Sequence, residues 1–115
     1  MTDIKKQAKQ DIHELYDGLK KYEDQSPELM DITDVLQQVY HTLDTTKNPE
    51  ALVNKLTKYI YISGFKKITF APAENKLLAN LGAIGQRAGL NGAYGSDYSD
   101  KSQFYGYKEE VPRHS

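Results

Sequence analysis

The residues with the most obvious chemical potential are the histidines. "HELYD", residues 13 to 17, begins like the His-Glu-x-x-His helix in which two histidines one turn apart grip zinc and the glutamate serves as base. Its fifth position is Asp17, however, and the two remaining histidines, His41 and His114, offer no obvious third ligand. A solvated helix face is the better reading of His13. His41 could instead accept a phosphoryl group, as exposed histidines on helical phosphotransfer domains do. It lies in an acidic stretch, where a phosphate meets repulsion. "GAIG", 82 to 85, resembles a nucleic-acid clamp only trivially. A Gly-rich phosphate loop, a nucleophile elbow and a convincing acid pair are all missing from the sequence. We read the chain as no enzyme, with no metal and no cofactor.

Charge narrows the choice of partners. Residues 23 to 46 carry six acids (Glu23, Asp24, Glu28, Asp31, Asp34, Asp44) and no lysine or arginine. Residues 47 to 87 carry seven bases (Lys47, Lys55, Lys58, Lys66, Lys67, Lys76, Arg87) against Glu50 and Glu74. The plain reading is complementary neighbouring helices with solvated faces. The sharper reading is a basic face turned to anionic lipid or an acidic partner. Nucleic acid is not expected, because the bases are not densely clustered and no aromatics are interleaved with them. The chain has no cysteine, so neither disulfides nor thiolate metal sites constrain it. "MTDIKKQAKQD" lacks the apolar run of a signal peptide, and "YIYISGF" (59 to 65) is far short of the ~20 residues that cross a bilayer. A cytoplasmic monomer, touching a membrane at most peripherally, is the expectation.

The elements that must position these residues are helical. Ile4, Ala8, Ile12, Leu15 and Leu19 recur at spacings of three or four, which gives a first helix one apolar stripe. Ser26-Pro27 is an N-cap followed by proline at the first helical position, and Leu29, Ile32, Leu36, Val39 and Leu43 continue the pattern. Asn48-Pro49 repeats the start signal for a third helix, whose inner face is expected at Leu52, Leu56, Tyr59 (or Ile60) and Ser63. "KYIYISGFKKITF", 58 to 70, could also form a hairpin, but the helical period from Leu52 runs into it unbroken. Pro72 and Glu74 open a fourth helix with Leu77, Leu78, Leu81, Ile84 and Ala88 inward, and Gly89 stops it. Four such helices with short loops predict an all-α antiparallel four-helix bundle over residues 1 to 89. Glycines at 82, 85 and 89 share a helix face and invite close approach by another backbone or by aromatic rings.

Residues 90 to 115 read as a tail, but an unusual one. "GLNGAYGSDYSDKSQFYGY", 89 to 107, has a linker's glycines, serines and aspartates, yet holds five of the chain's twelve aromatics. Rings gain by covering a surface. An extended tail at ~3.3 Å per residue runs back along the fourth helix by about Tyr98. Tyr94 and Tyr98 are therefore expected to dock on the bundle, while Phe104, Tyr105 and Tyr107 stay partly free for a partner. The last residues, "VPRHS", carry no weight in this reading.

"DVLQQVYHTLDTTKNPEALVNKLTKYIYI" (34 to 62) and "LGAIGQRAGLNGAYGSDYSDKSQF" (81 to 104) resemble the immunity proteins of pediocin-like (class IIa) bacteriocins, nearest to the branch paired with enterocin A and leucocin A. The likeness runs from about Ile12 to Phe104 and is weaker over the first helix and residues 18 to 30. It implies a cytosolic four-helix bundle without catalytic activity that protects a producing cell from its own pore-forming peptide. The implied partner is the mannose phosphotransferase permease that the peptide uses as receptor, together with the cognate bacteriocin, and the C-terminal half is implied to choose which bacteriocin is resisted. Joined to the charge pattern, this makes Lys55, Lys58, Lys66, Lys67, Arg87, Tyr94, Tyr98, Phe104 and Tyr105 the candidate partner-binding residues. A generic helical adaptor or a histidine phosphorelay protein is the alternative.

Overall fold

A computed structural model describes residues 3–64, 66–87, 100–106 and 108–114. Four α-helices follow one another: α1 (Ile4–Lys20), α2 (Pro27–Thr42), α3 (Pro49–Gly64) and α4 (Pro72–Gln86). A 3-10 turn, Lys101–Phe104, comes after them. No strand occurs among the described residues, so the hairpin reading of 58 to 70 falls.

Each helix starts where local chemistry says it should. Asp3 accepts the Lys6 amide at the head of α1 (3.3 Å), and Ser26 Oγ accepts the Leu29 amide at the head of α2 (3.2 Å). Asn48 Oδ1 accepts the Ala51 amide at the head of α3 (3.1 Å). α4 has an alanine at its N-cap, and the Glu74 carboxylate substitutes by taking the Ala71 amide (3.3 Å). That carboxylate also accepts the Tyr22 hydroxyl, which itself accepts the Ala71 amide (3.2 Å). The end of α1 is thereby pinned to the start of α4. After α3 the chain reverses at Lys66, a non-glycine residue in the left-handed region (φ 62°), and the amides of Lys67 and Ile68 both return to the Gly64 carbonyl (3.0 Å).

The helices surround one core in the order α1, α2, α3, α4, with α4 closing back on α1 and short connections making neighbours antiparallel. Leu15, Leu36, Leu56 and Leu81 are fully buried in it. The inner face of α3 is rotated from the expected one. Val53, Leu56, Thr57, Tyr59, Ile60 and Gly64 are buried, while Leu52 and Ser63 are only partly so. Of the glycines in α4, Gly82 has open space beside it and Gly85 lies against the α3 backbone at Asn54. The expected shared glycine face is therefore a single contact point in the described residues. Ala88 and Gly89 lie outside them.

Candidate partner-binding surface

The histidines come together only loosely. His13 lies 3.2 Å from Asp17 on the exposed side of α1. Tyr40 stands between His13 and His41, with ring centroids 6.2 and 5.7 Å away respectively. Lys9 Nζ lies 4.5 Å over the Tyr40 ring and pairs with Asp44 at 2.7 Å, which holds the Asp44 carboxyl below its ordinary range. These contacts stitch α1 to α2 and assemble no set of metal ligands.

Among the described residues one group of metal-ligand types does form: Asp31, Asp34 and His114, with ligand atoms within 4.8 Å of one another. Its cation is supplied by the chain. Lys101 is buried, and its ammonium donates to Asp31 Oδ1 (2.9 Å), Asp34 Oδ2 (3.0 Å) and the Pro112 carbonyl (2.6 Å). His114 Nε2 lies 2.5 Å from Asp34 Oδ2. Two carboxylates one helical turn apart on α2 thus face a lysine and a histidine from the C-terminal segment, which satisfies their charge locally. Asp31 and Asp34 are neutralised by the tail rather than by the basic stretch of α3, contrary to the plain reading of the charge pattern. Glu28 reaches that stretch through Lys67 at 3.3 Å.

The aromatics of the tail also differ from expectation. Phe104 is not free for a partner. It is 5% exposed and meets Tyr59 of α3 edge to face, with centroids 5.4 Å apart. Tyr105 packs half-buried on the same cluster. Burial first, and the nearby Asp34 charge second, push its hydroxyl up to about 12; burial alone leads the rise of Tyr59 to about 12. The physical reason is the 3-10 turn. Asp100 caps it by accepting the Ser102 amide at 2.9 Å, and a three-residue period sets Lys101 and Phe104 on one side, aimed at the bundle. Further on, Glu109 accepts from Gln38 (3.1 Å) and from the Gly106 amide (2.5 Å). Residues 100–106 and 108–114 are therefore a clasp on α2 and α3, and "VPRHS", set aside in the sequence, contributes two of its contacts. The available signal was "SDKS", an aspartate placed to cap a turn. Its target on α2 had no local signal at all.

Of the other candidates, Lys58, Lys66, Lys67 and Arg87 are exposed and Lys55 is partly so. Tyr94 and Tyr98, and the docking expected of them, lie outside the described residues. Lys55 and Lys58 lie on α3, and Lys66 and Lys67 follow at its exit. No described helix is long and apolar enough to cross a membrane.

Comparison with known proteins places the chain. Residues 5–86 match the bacteriocin immunity protein family. The chain is 54% identical over 80 residues to the probable mesentericin-Y105 immunity protein of Leuconostoc mesenteroides, covering 69% of this chain and 71% of that protein. It is 55% identical over 76 residues to the probable leucocin-A immunity protein of Leuconostoc gelidum, covering 65% of this chain and 67% of that one. No solved structure matches. Residues 87 to 115 lie beyond the family match, so the clasp is additional to the matched bundle. A non-enzymatic four-helix chain matched over most of its length in this way belongs to the bacteriocin immunity protein family.

Proposed function

We propose that this protein protects a cell from a pediocin-like, pore-forming bacteriocin by binding, on the cytosolic side, the complex of that peptide with its mannose-permease receptor. The observation that carries the reading is the 54–55% identity to two immunity proteins, spanning most of the bundle. The structure adds a physical restriction. None of the described helices is long and apolar enough to span a bilayer, and the one histidine that joins a cluster of metal-ligand types, His114, is engaged with Asp34 beside the Lys101 ammonium. We take the action to be stabilisation of a closed state of the receptor complex, and a ligand shifts such an equilibrium only through its differential affinity for the two states. Weak binding to free peptide and to free permease, with tighter binding to both together, is the expected pattern.

The proposed contact surface is the outer side of α3 with its exit, Lys55, Lys58, Lys66 and Lys67, extended by Arg87 and the half-exposed rim of Tyr105. Phe104 acts indirectly, by seating the clasp. The test is expression in a sensitive strain challenged with a panel of pediocin-like peptides, joined to pull-downs from its membranes with and without peptide. Protection against one or a few peptides, and capture of permease mainly when the peptide is present, is the expected result. Capture of peptide in solution without permease would make this a sequestering protein. Exchanging residues 49–107 for those of a relative is expected to transfer the resistance profile, and resistance that stays with residues 1–48 would displace the surface from α3.

A further inference from the structure

Two large apolar side chains among the described residues remain half in solvent, and they are neighbours: Tyr61 at 52% and Ile62 at 51% exposure. Both lie on the last full turn of α3, outside the buried stripe of Val53, Leu56, Thr57, Tyr59 and Ile60. Lys58 precedes them by three and four residues, so it sits one turn back on the same face, with Lys55 a further turn back. Lys66 follows at the left-handed reversal. From residue 51 to residue 67 the sequence contains no acid. Lys67 follows at the same exit, where it bonds to Glu28 at 3.3 Å.

We propose that this face, Tyr61 and Ile62 bordered by Lys55, Lys58 and Lys66, is a peripheral docking site for an anionic lipid bilayer. Two half-exposed side chains are too little apolar area for the core of a stable protein interface, which needs ~800 Å² per partner and is depleted in lysine. A second copy of this chain would bring lysines against lysines. A bilayer surface removes both objections. The ammonium groups reach anionic headgroups while their stems lie along the boundary, and tyrosine favours that depth because its ring is apolar and its hydroxyl polar. Ile62 supplies the side chain that enters the acyl boundary. Docking through this face would hold α3 against the membrane, leaving the clasped side at α2 to one flank. The inference deepens the proposed function by giving its basic surface a lipid contact, but it does not depend on which receptor is involved.

The test is co-sedimentation of the full chain with vesicles of phosphatidylglycerol and phosphatidylcholine, compared with vesicles of phosphatidylcholine alone. Binding to the anionic vesicles only, weakened by salt, is expected. Lys58→Gln should lower the affinity about fivefold, the effect of one lysine near an anionic surface. A Tyr61→Ser, Ile62→Ser double variant should lower it about tenfold or more while keeping its helical spectrum, since both positions are exposed. Equal binding by wild type and double variant, binding indifferent to lipid charge, or no binding to anionic vesicles overturns the proposal. So does a concentration-dependent dimer that the double variant abolishes, since the face would then be a contact between copies. The vesicles contain neither bacteriocin nor permease. Failure here sinks the lipid site alone, whereas lost protection by a chain that still binds vesicles counts against the receptor reading.

Discussion

A side-chain carbon built on Gly85 would lie 2.8 Å from Asn54 Cα, so α3 and α4 touch backbone to backbone at that point. Backbone cannot swing aside as a flexible side chain can. Gly85→Ala should therefore push the two helices apart and cost roughly 1–3 kcal/mol. Gly82, one turn earlier on α4, has nothing within 4 Å of the same position. Gly82→Ala should stabilise the helix by about 0.5–1 kcal/mol. Urea denaturation of the two variants checks the opposite signs, and a loss of similar size in both would remove the close approach as the explanation.

Lys101 is the one cation seated between Asp31 and Asp34 in the described clasp. Replacing it with methionine keeps the stem but leaves two carboxylates facing each other. Because those carboxylates are a quarter to a third exposed, water offsets part of the cost, and about 1–3 kcal/mol is expected. Adding Asp31→Asn and Asp34→Asn should restore much of that loss, since the repulsion then has no source. Failure of the triple variant to recover would mean that the ammonium's bond to the Pro112 carbonyl matters more than its charge.

Phe104 anchors the clasp through Tyr59. Phe104→Ala should cost about 3 kcal/mol in the stability of the docked segment, from lost burial and the cavity left behind. The sharper readout is limited proteolysis. Trypsin should cut after Lys101, buried in the wild type, far faster in the variant, while α1 to α4 stay intact. Unchanged cleavage would mean that the segment is held without the ring.

Alkaline stability follows from Tyr59 and Tyr105, both raised to about 12 from an ordinary 10.0. A folded-state value above the unfolded one stabilises fully below the unfolded value and is lost as pH rises through the folded one. Stability attributable to these hydroxyls should therefore be intact below pH ~10 and disappear toward pH ~12. Thermal melts of Tyr59→Phe and Tyr105→Phe across that window should show a shallower decline than the wild type. Parallel curves would assign the alkaline loss to other groups.

Asp11 works in the opposite sense. It is buried, accepts from Gln7 at 3.1 Å through one carboxylate oxygen, and has no protein partner for the other. Burial raises its pKa, so the charged form is a liability that appears as pH rises through the carboxylate range. Asp11→Asn should raise the melting temperature at pH 7, with the gain vanishing in acid. A loss of stability at pH 7 would show that the charge is favourably met in the fold.

Much of the helical scaffold was legible because its signals are local. Ser26-Pro27 and Asn48-Pro49 mark helix starts through contacts spanning three residues, and Leu29, Ile32, Leu36 and Val39 reveal a buried stripe by spacing alone. The family resemblance lay in sequence runs and needed no coordinates. The clasp was not legible: Lys101 meets Asp31 across 70 residues and Asp34 across 67, and no pattern within either segment announces the pairing. Nor could spacing tell that Phe104 would be buried instead of offered to a partner, since that depended on Tyr59 lying open to it.

"YIYI", residues 59 to 62, shows where the boundary falls. Composition alone makes its four residues equivalent, and they suit a strand as well as a helix. Continuation of the helix from Pro49 spreads them round the axis in steps of about 100°, so they cannot all face the core, which is a local consequence of 3.6 residues per turn. Which of them go inward was decided by the packing of α3 against α2 and α4, with Gly85 allowing the close approach to Asn54. Tyr59 and Ile60 then enter the core, and Tyr61 and Ile62 are left facing out beside the lysines. That α3 would be amphipathic was inherent in the order of its residues. Its inward face was chosen by packing, because burial is a property of neighbours and those neighbours are distant in the chain.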